Sequence, residues 1–155
     1  MRNRFCTIFA LTITTALLTS NVLADDDHDH DTDNNEVKYR HSVMAAMSDH
    51  FAALAMVFTN RVDRPNDLLV HAEALAQTAT LIGTLFPDGS QGSAALSLIW
   101  EEPDQVAAAA QEAADATAAL AQAAAGGDRA TITKAFKEAG NACKGCHERY
   151  REEDD

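Results

Sequence analysis

The chain has few of the residues that build β-sheets, disulfide scaffolds or nucleic-acid-binding surfaces. Its 155 residues include three cysteines, three prolines and one tryptophan, and only 6% of them are aromatic. Lys and Arg number 12 against 24 Asp and Glu, which excludes the basic footprint that nucleic-acid phosphates require. No segment alternates apolar and polar residues as a half-buried strand would. The composition therefore favours an acidic, all-helical protein.

A hydrophobic run of transmembrane length is also missing. The N-terminal apolar run has 12 residues, whereas a transmembrane helix needs about 20. Arg2 and Arg4 precede this run and small residues follow it, which is the pattern of a secretory signal peptide over residues 1–24. A retained membrane anchor is the alternative. The pattern predicts an exported mature chain that begins at Asp25 and has no membrane anchor.

Residues 25–36 form an acidic block that contains His28 and His30 and no apolar side chain. Such a segment cannot bury apolar surface, so the sequence predicts a disordered, solvated tail. Weak capture of a divalent metal by its His and Asp side chains is the alternative. Without the signal peptide the chain keeps ten basic residues against 24 acidic ones, a net charge of −14. This charge favours a partner that presents a basic surface.

The rest of the chain, residues 37–153, has apolar residues at helical spacing, interrupted by segments that contain Pro and Gly. The four predicted helices have bounds near 36–60, 68–86, 103–126 and 129–152. Pro103 suits the first turn of the third helix, and Gly126-Gly127 is a stop signal at its end. Four amphipathic helices of similar length with mostly short links predict an all-α, antiparallel up-down-up-down four-helix bundle.

A cluster of chemically distinctive residues lies near the C-terminus, where the sequence reads CKGCH. On a helix, residues three and four apart share a face, so Cys143 projects beside Cys146 and His147. Both sulfurs can bond to the vinyl groups of one porphyrin while the imidazole reaches its iron. The order C-x-x-C-H is the attachment signature of c-type haem.

Other uses of the two thiols fit the sequence less well. A structural zinc site needs four ligands, and this cluster must borrow the fourth from His41, His50 or His71. A redox disulfide is typical of a βαβ context, which the helical pattern lacks. The five-residue motif, the export signal and the all-helical context together favour one haem c, attached through Cys143 and Cys146.

These stretches resemble the class II c-type cytochromes, the family of cytochrome c prime. The resemblance covers the chain after the acidic tail and rests on KYRHSVM, LFPDGS, the IW of LSLIW, and CKGCHERYR. It implies a periplasmic monohaem four-helix bundle held at Cys143 and Cys146, with His147 as proximal ligand. It also implies that Arg40 contacts a haem propionate and that Arg151 lies beside the proximal histidine. Many relatives are homodimers through their first two helices.

Members of this family differ at the distal position, four residues after the first-helix arginine. In cytochrome c prime itself this residue is Leu, Phe or Tyr and the iron is five-coordinate, but here it is Met44, whose thioether can bind haem iron. At 1.5 Å per residue, Met44 lies about 12 Å from the start of its predicted helix, and His147 about 7 to 8 Å from the end of its own. Met47 and Met56 lie deeper in the bundle. His41 lies level with His147 but towards the flank.

From these observations we predict a periplasmic one-electron carrier of the low-spin, methionine-ligated branch, with a six-coordinate iron held by His147 and Met44. Arg40 would shield a propionate, and Arg151 would tune the environment of His147. The alternative is a five-coordinate cytochrome c prime that binds nitric oxide or carbon monoxide. Metal handling by the acidic tail is a third hypothesis. Enzymatic turnover is not indicated, because nothing in the sequence resembles an acid–base pair or a substrate pocket beyond the haem.

Overall fold

The computed structural model describes residues 33–152. The predicted signal peptide and the tail histidines His28 and His30 lie outside the described residues. The described chain forms the helices α1 (Asn35–Phe58), α2 (Asp67–Ala79), α3 (Leu98–Glu101), α4 (Pro103–Gly126) and α5 (Arg129–Tyr150), with a 3₁₀ turn at Ile82–Thr84. Between residues 33 and 152 the structure has isolated β-bridges but no strand. No helix in that range is long and apolar enough to cross a membrane.

The four long helices pack as an antiparallel bundle. Helix α1 packs on α2, α2 on α4, and α4 on α5. The direction of α5 relative to α1 is fixed by Arg129 at its start, whose Nη2 donates to the carbonyl of Phe58, the last residue of α1, at 3.0 Å. The predicted all-α four-helix bundle is confirmed. The start of α1 and the end of α5 consequently meet at one end of the molecule.

Capping residues set the ends of three helices. The Asn34 side chain accepts a hydrogen bond from the Glu36 amide at 2.9 Å, so α1 begins two residues before the predicted boundary between tail and domain. Helix α4 ends before Gly127, whose φ of 71° is the left-handed conformation that glycine adopts freely. The Asp128 carboxylate accepts from the Thr131 amide at 2.7 Å and caps α5, as predicted.

The second helix is shorter than its apolar spacing predicts. Helix α2 ends at Ala79, and the Thr80 hydroxyl donates back to the Gln77 carbonyl at 2.7 Å. The chain then continues as a 3₁₀ turn in which Ile82 and Leu85 remain buried. The apolar periodicity therefore persists beyond the helix because the turn keeps facing the core. Residues 98–101, predicted as part of a loop, form the short helix α3.

The core combines large aliphatic side chains in the middle of the bundle with many alanines. Leu54, Leu75 and Leu120 are each at most 2% exposed. Phe136 on α5 stacks with Phe51 and Phe58 on α1, with ring centres 4.5 and 5.7 Å apart. These rings hold α1 and α5 together over the half of the bundle that is far from the CKGCH motif. At the other end the facing side chains leave cavities between the helices.

Candidate haem site

The last turns of α5 carry the two thiols and the imidazole on one side of the bundle. Cys143 and Cys146 are free thiols and both are half-buried. Cys146 and His147 line two neighbouring cavities, and Cys143 lines the larger one. Because α5 is an uninterrupted helix to Tyr150, these three side chains share a face, as the motif spacing predicts.

Burial shifts the protonation of all three groups towards their neutral forms. Burial raises the pKa of the Cys143 thiol, and burial together with the neighbouring Cys143 raises the pKa of Cys146. Burial, followed by the positive charge of Arg151, lowers the pKa of His147. A neutral imidazole offers a lone pair to a metal. Among residues 33–152 no group of three or more His, Cys, Asp or Glu can hold a metal ion, which contradicts the zinc alternative.

Two cavities meet at this face of α5. The larger has a volume of about 300 Å³ and lies inside the bundle between α1, α2, α4 and α5; its lining includes Met47, Phe51 and Thr117. The smaller has a volume of about 120 Å³ and lies towards the end of the bundle; its lining includes Arg40 and His41. Met44, Cys146 and His147 line both cavities. Most of the walls are apolar, as is usual for cofactor sites.

Arg40 is a buried cation at the edge of the smaller cavity. It is 6% exposed, and burial lowers its pKa. Its Nη1 donates to the Ser90 carbonyl at 2.9 Å and its Nη2 to the Gly92 carbonyl at 3.0 Å. Its Cζ lies 5.4 Å from the Phe86 ring centre and 6.0 Å from that of Trp100. Within the described chain no carboxylate forms an ion pair with Arg40. A buried cation of this kind suits an anionic group such as a propionate.

Arg151 lies at the C-terminal end of α5, next to the candidate proximal histidine. Its amide donates to the His147 carbonyl at 3.0 Å, and its charge contributes to the lowered pKa of that imidazole. A β-bridge joins Arg151 to Ala95. The loop before α3 is therefore attached to the end of α5, and together they close the cofactor end of the bundle.

The remaining histidines fall into two groups. His41 is exposed and lines the smaller cavity, in agreement with its predicted position on the flank. His50 and His71, named above only as possible fourth ligands of a zinc site, are half-buried and form a pair, with their Nδ1 atoms 3.0 Å apart. Sequence reasoning missed this contact because the two residues lie on different helices and share no motif.

The residues of this face fit a haem. The face presents two thiols one helical turn apart, an adjacent neutral imidazole and a buried arginine without a carboxylate partner in the described chain. Apolar cavities lie beside these groups. Together these features are complementary to a haem. The larger cavity alone reaches the lower end of the range for ligand pockets, about 300–1,000 Å³. Gly140 adds space because a Cβ there would lie 3.4 Å from Phe51 Cζ. The lining of the two cavities includes every predicted cofactor residue, namely Cys143, Cys146, His147, Met44, Arg40 and Arg151.

Comparison with known proteins identifies the family. The family model described as Cytochrome C' matches residues 35–151. A cytochrome c' of Pararhodospirillum photometricum is 39% identical over 119 residues, covering 75% of this chain and 95% of the relative. Cytochrome c-554 of Cereibacter sphaeroides is 32% identical over 154 residues, covering 94% and 97%.

Solved structures agree with this assignment. A nitric oxide complex of a cytochrome c prime variant from Alcaligenes xylosoxidans has a TM-score of 0.72 and 28% identity, covering 77% of this chain and 94% of that one. A carbon monoxide complex of another variant has a TM-score of 0.71 and 28% identity, covering 76% and 94%. This chain belongs to the cytochrome c' family. Members carry one covalently attached haem c, and this chain has its two cysteines, Cys143 and Cys146, at the motif for it.

The prediction of a six-coordinate iron ligated by His147 and Met44 in an electron carrier is wrong. The finding that overturns it is the family assignment, because the matching family model, relatives such as that of Pararhodospirillum photometricum and the structural neighbours are named cytochrome c', the class with a five-coordinate iron. The structure offers a physical reason. Met44 is partly buried, packs against the bundle core and lines both cavities. Methionine commonly fills such irregular apolar space.

Proposed function

We propose that this chain is a periplasmic haem c protein that binds nitric oxide or carbon monoxide at an open axial position. The observation that carries the proposal is the apolar wall that Met44 and Phe51 on α1 form opposite His147 on α5. Support also comes from the relatives, because solved structures of cytochrome c prime include complexes with both gases. Nothing in the site supplies an acid–base pair, so we propose ligand binding rather than enzymatic turnover.

The proximal side of the site is built by α5. Cys143 and Cys146 would hold the haem covalently, and His147 would bind the iron from the same helix face. When bound, the haem supplies an iron with one exchangeable axial position. Arg151 stabilises the neutral form of His147 through its charge, and the helical carbonyl of His147 accepts from the Arg151 amide at 3.0 Å. The backbone hydrogen bond keeps the last turn of α5 helical at His147.

The distal side is apolar, which suits diatomic ligands of low polarity. Met44, Met47 and Phe51 form much of the wall that faces α5. Thr117 contributes a hydroxyl, but that hydroxyl already donates to the Ala113 carbonyl at 2.8 Å. Ser48 provides the other hydroxyl in the lining. Distal polarity and hydrogen-bond donors decide whether a haem pocket favours dioxygen, and here the few donors favour nitric oxide and carbon monoxide instead.

The charged groups around the site extend the proposal to partners. Arg40 would receive a haem propionate, because it is buried without a carboxylate partner in the described chain. The net charge of −14 after signal cleavage suits a redox partner with a basic surface, which would keep the haem reduced. Homodimers are known among relatives, and we propose the same assembly here.

Absorption spectra of the reduced holoprotein with and without carbon monoxide test the proposal. We expect a high-spin ferrous spectrum and a rapid shift on addition of carbon monoxide, because no protein ligand must first leave. As a matched pair, Met44→Ala and Met47→Ala change two cavity methionines, of which only Met44 lines both cavities. A wild-type protein that stays low-spin and binds carbon monoxide only after Met44→Ala would overturn the proposal.

A further inference from the structure

A second cluster of nitrogen donors lies outside the haem site, between α1 and α2. His50 on α1 and His71 on α2 have Nδ1 atoms 3.0 Å apart. Their ring centres are 5.3 Å apart and the ring planes are inclined by 49°. Both side chains are half-buried, and neither lines the two cavities at the haem face. The pair is therefore a separate feature of the molecule.

The contact requires the two rings to have different roles. A neutral imidazole has one nitrogen that donates and one that accepts, so one Nδ1 carries the proton and the other the lone pair. If that proton moves to Nε2 of its own ring, both Nδ1 lone pairs become available at the same place. This change of tautomer needs no net gain or loss of protons. Two neutral imidazoles then face one another as a chelating pair.

The separation of the nitrogens, which is set here by their hydrogen bond, is short enough for both to bind one metal ion. With metal–nitrogen bonds of about 2.05 Å, two nitrogens 3.0 Å apart subtend an angle of about 94° at the metal. Tetrahedral zinc would need the nitrogens about 3.3 Å apart by the same bond length. An angle near 90° is that of a square-planar or tetragonal site, the geometry of Cu²⁺ and Ni²⁺. Cu²⁺ also has the highest affinity of the divalent first-row metals for such ligands.

We propose that His50 and His71 bind one Cu²⁺ or, more weakly, Ni²⁺ per chain through their Nδ1 atoms. Water completes the coordination, since no described group of three or more side chains forms a metal site. Acidic residues flank the pair: Asp49 precedes His50, and Asp67 lies one turn before His71 and pairs with Arg64 at 3.7 Å. Because Arg64 offsets the charge of Asp67, Asp49 supplies most of the negative field that attracts a cation to this part of the surface.

The metal would link α1 to α2 only in the folded protein. The two histidines are 21 residues apart in the chain, so the unfolded chain has no preformed pair. A ligand that binds the folded state alone raises the folded-to-unfolded ratio by the factor 1 + [L]/Kd. We therefore expect Cu²⁺ to raise the thermal midpoint of the holoprotein.

The experiment is a titration of the full mature holoprotein with Cu²⁺, followed by calorimetry and by electron paramagnetic resonance. The background protein carries His28→Asn and His30→Asn, which removes the tail histidines. We expect one Cu²⁺ per chain in this background, with hyperfine splitting from two imidazole nitrogens. His50→Gln and His71→Gln should each weaken binding by about a hundredfold, because each removes one of two linked contacts. Glutamine retains a hydrogen-bonding group opposite the remaining imidazole.

Several results would overturn the proposal. Binding that disappears with the tail histidines would assign the metal to the tail. An unchanged isotherm in His50→Gln would exclude the pair, and one Cu²⁺ per two chains would exclude a site within one chain. The count of nitrogens coupled to Cu²⁺ in the background protein is independent of any change in folding caused by the glutamine variants. A count below two would also reject the site.

Discussion

Replacement of Arg40 by methionine is expected to destabilise the holoprotein, because Arg40 attaches the start of α1 to the loop that closes the haem end. Its guanidinium donates to the carbonyls of Ser90 and Gly92 at 2.9 and 3.0 Å. It also lies over the Phe86 and Trp100 rings. Methionine retains an unbranched apolar stem against those rings and removes only the charge and the donors.

The magnitude follows from the burial of the two nearest acceptors of Arg40, the carbonyls of Ser90 and Gly92. Ser90 is 0% exposed, so its carbonyl loses a partner that water cannot replace, at a cost of about 1–3 kcal/mol. Gly92 is exposed, and water can hydrate its carbonyl after the substitution. Removing a buried cation relieves some desolvation, whereas the propionate that Arg40 is proposed to receive loses its partner, so these two effects oppose one another. We therefore expect a net loss of about 2 kcal/mol, with a decrease in Tm of about 6–10 °C for a domain of this size.

Thermal unfolding followed by circular dichroism and by haem absorbance measures this effect. Arg40→Lys is the graded variant, because one ammonium cannot reproduce the planar fork that reaches both carbonyls. Arg61→Met is the matched control, since Arg61 is exposed and surface changes usually stay within about 0.5 kcal/mol. A Tm of Arg40→Met within about 2 °C of the wild type would refute the reasoning. So would Arg40→Lys being less stable than Arg40→Met.

Three further predictions concern the cavity, a helix cap and the core. Met44→Ala should increase the carbon monoxide association rate several-fold in stopped-flow measurements, because it removes wall from both cavities; an unchanged or slower rate would contradict this. Asp128→Ala should lower Tm at neutral pH, because hydrogen bonds from Thr131 lower the pKa of the Asp128 carboxyl. That stabilisation is present above the ordinary carboxyl pKa of about 3.9 and is lost as pH falls through the lowered pKa of Asp128. The Tm values of the wild type and of Asp128→Ala should therefore converge in acid. Leu120→Ala should cost about 2–5 kcal/mol in chemical denaturation because Leu120 is 0% exposed, and a loss below 1 kcal/mol would contradict this.

The helix bundle could be predicted from the sequence because its signals are local. Pro103, Gly127 and Asp128 act through the backbone of their own turns, and the structure has helix ends where these residues predict them. The end of α2 could not be read in the same way. Ile82 and Leu85 continue the apolar spacing of α2, but they do so from a 3₁₀ turn. Spacing reports which side chains are buried and does not distinguish an α-helix from a turn that faces the same core.

The pairing of His50 with His71 depends on a quantity that the sequence does not contain. Each residue lies beside the apolar stripe of its own helix, so either could be solvated. Their contact is set by the rotation of α1 and α2 about their axes, which the packing of Leu54, Leu75 and their neighbours determines. The aromatic contact of Phe51 with Phe136 has the same origin. Such contacts follow from packing between helices, which a pattern within one helix cannot specify.

The role of Met44 was mispredicted for a related reason. Its residue type and its position along the bundle axis were both suitable for ligation, but these two properties do not decide whether the side chain binds iron. A thioether can fill apolar space or bind iron, and both uses need a partly buried methionine on the inner face of α1. The two differ in whether the side chain is held against the core or released towards α5. In the structure Met44 packs with the core cluster that includes Met47 and Leu75. Ligation would require the side chain to leave those contacts and turn towards His147, and the apolar wall that favours a small gas would then be lost.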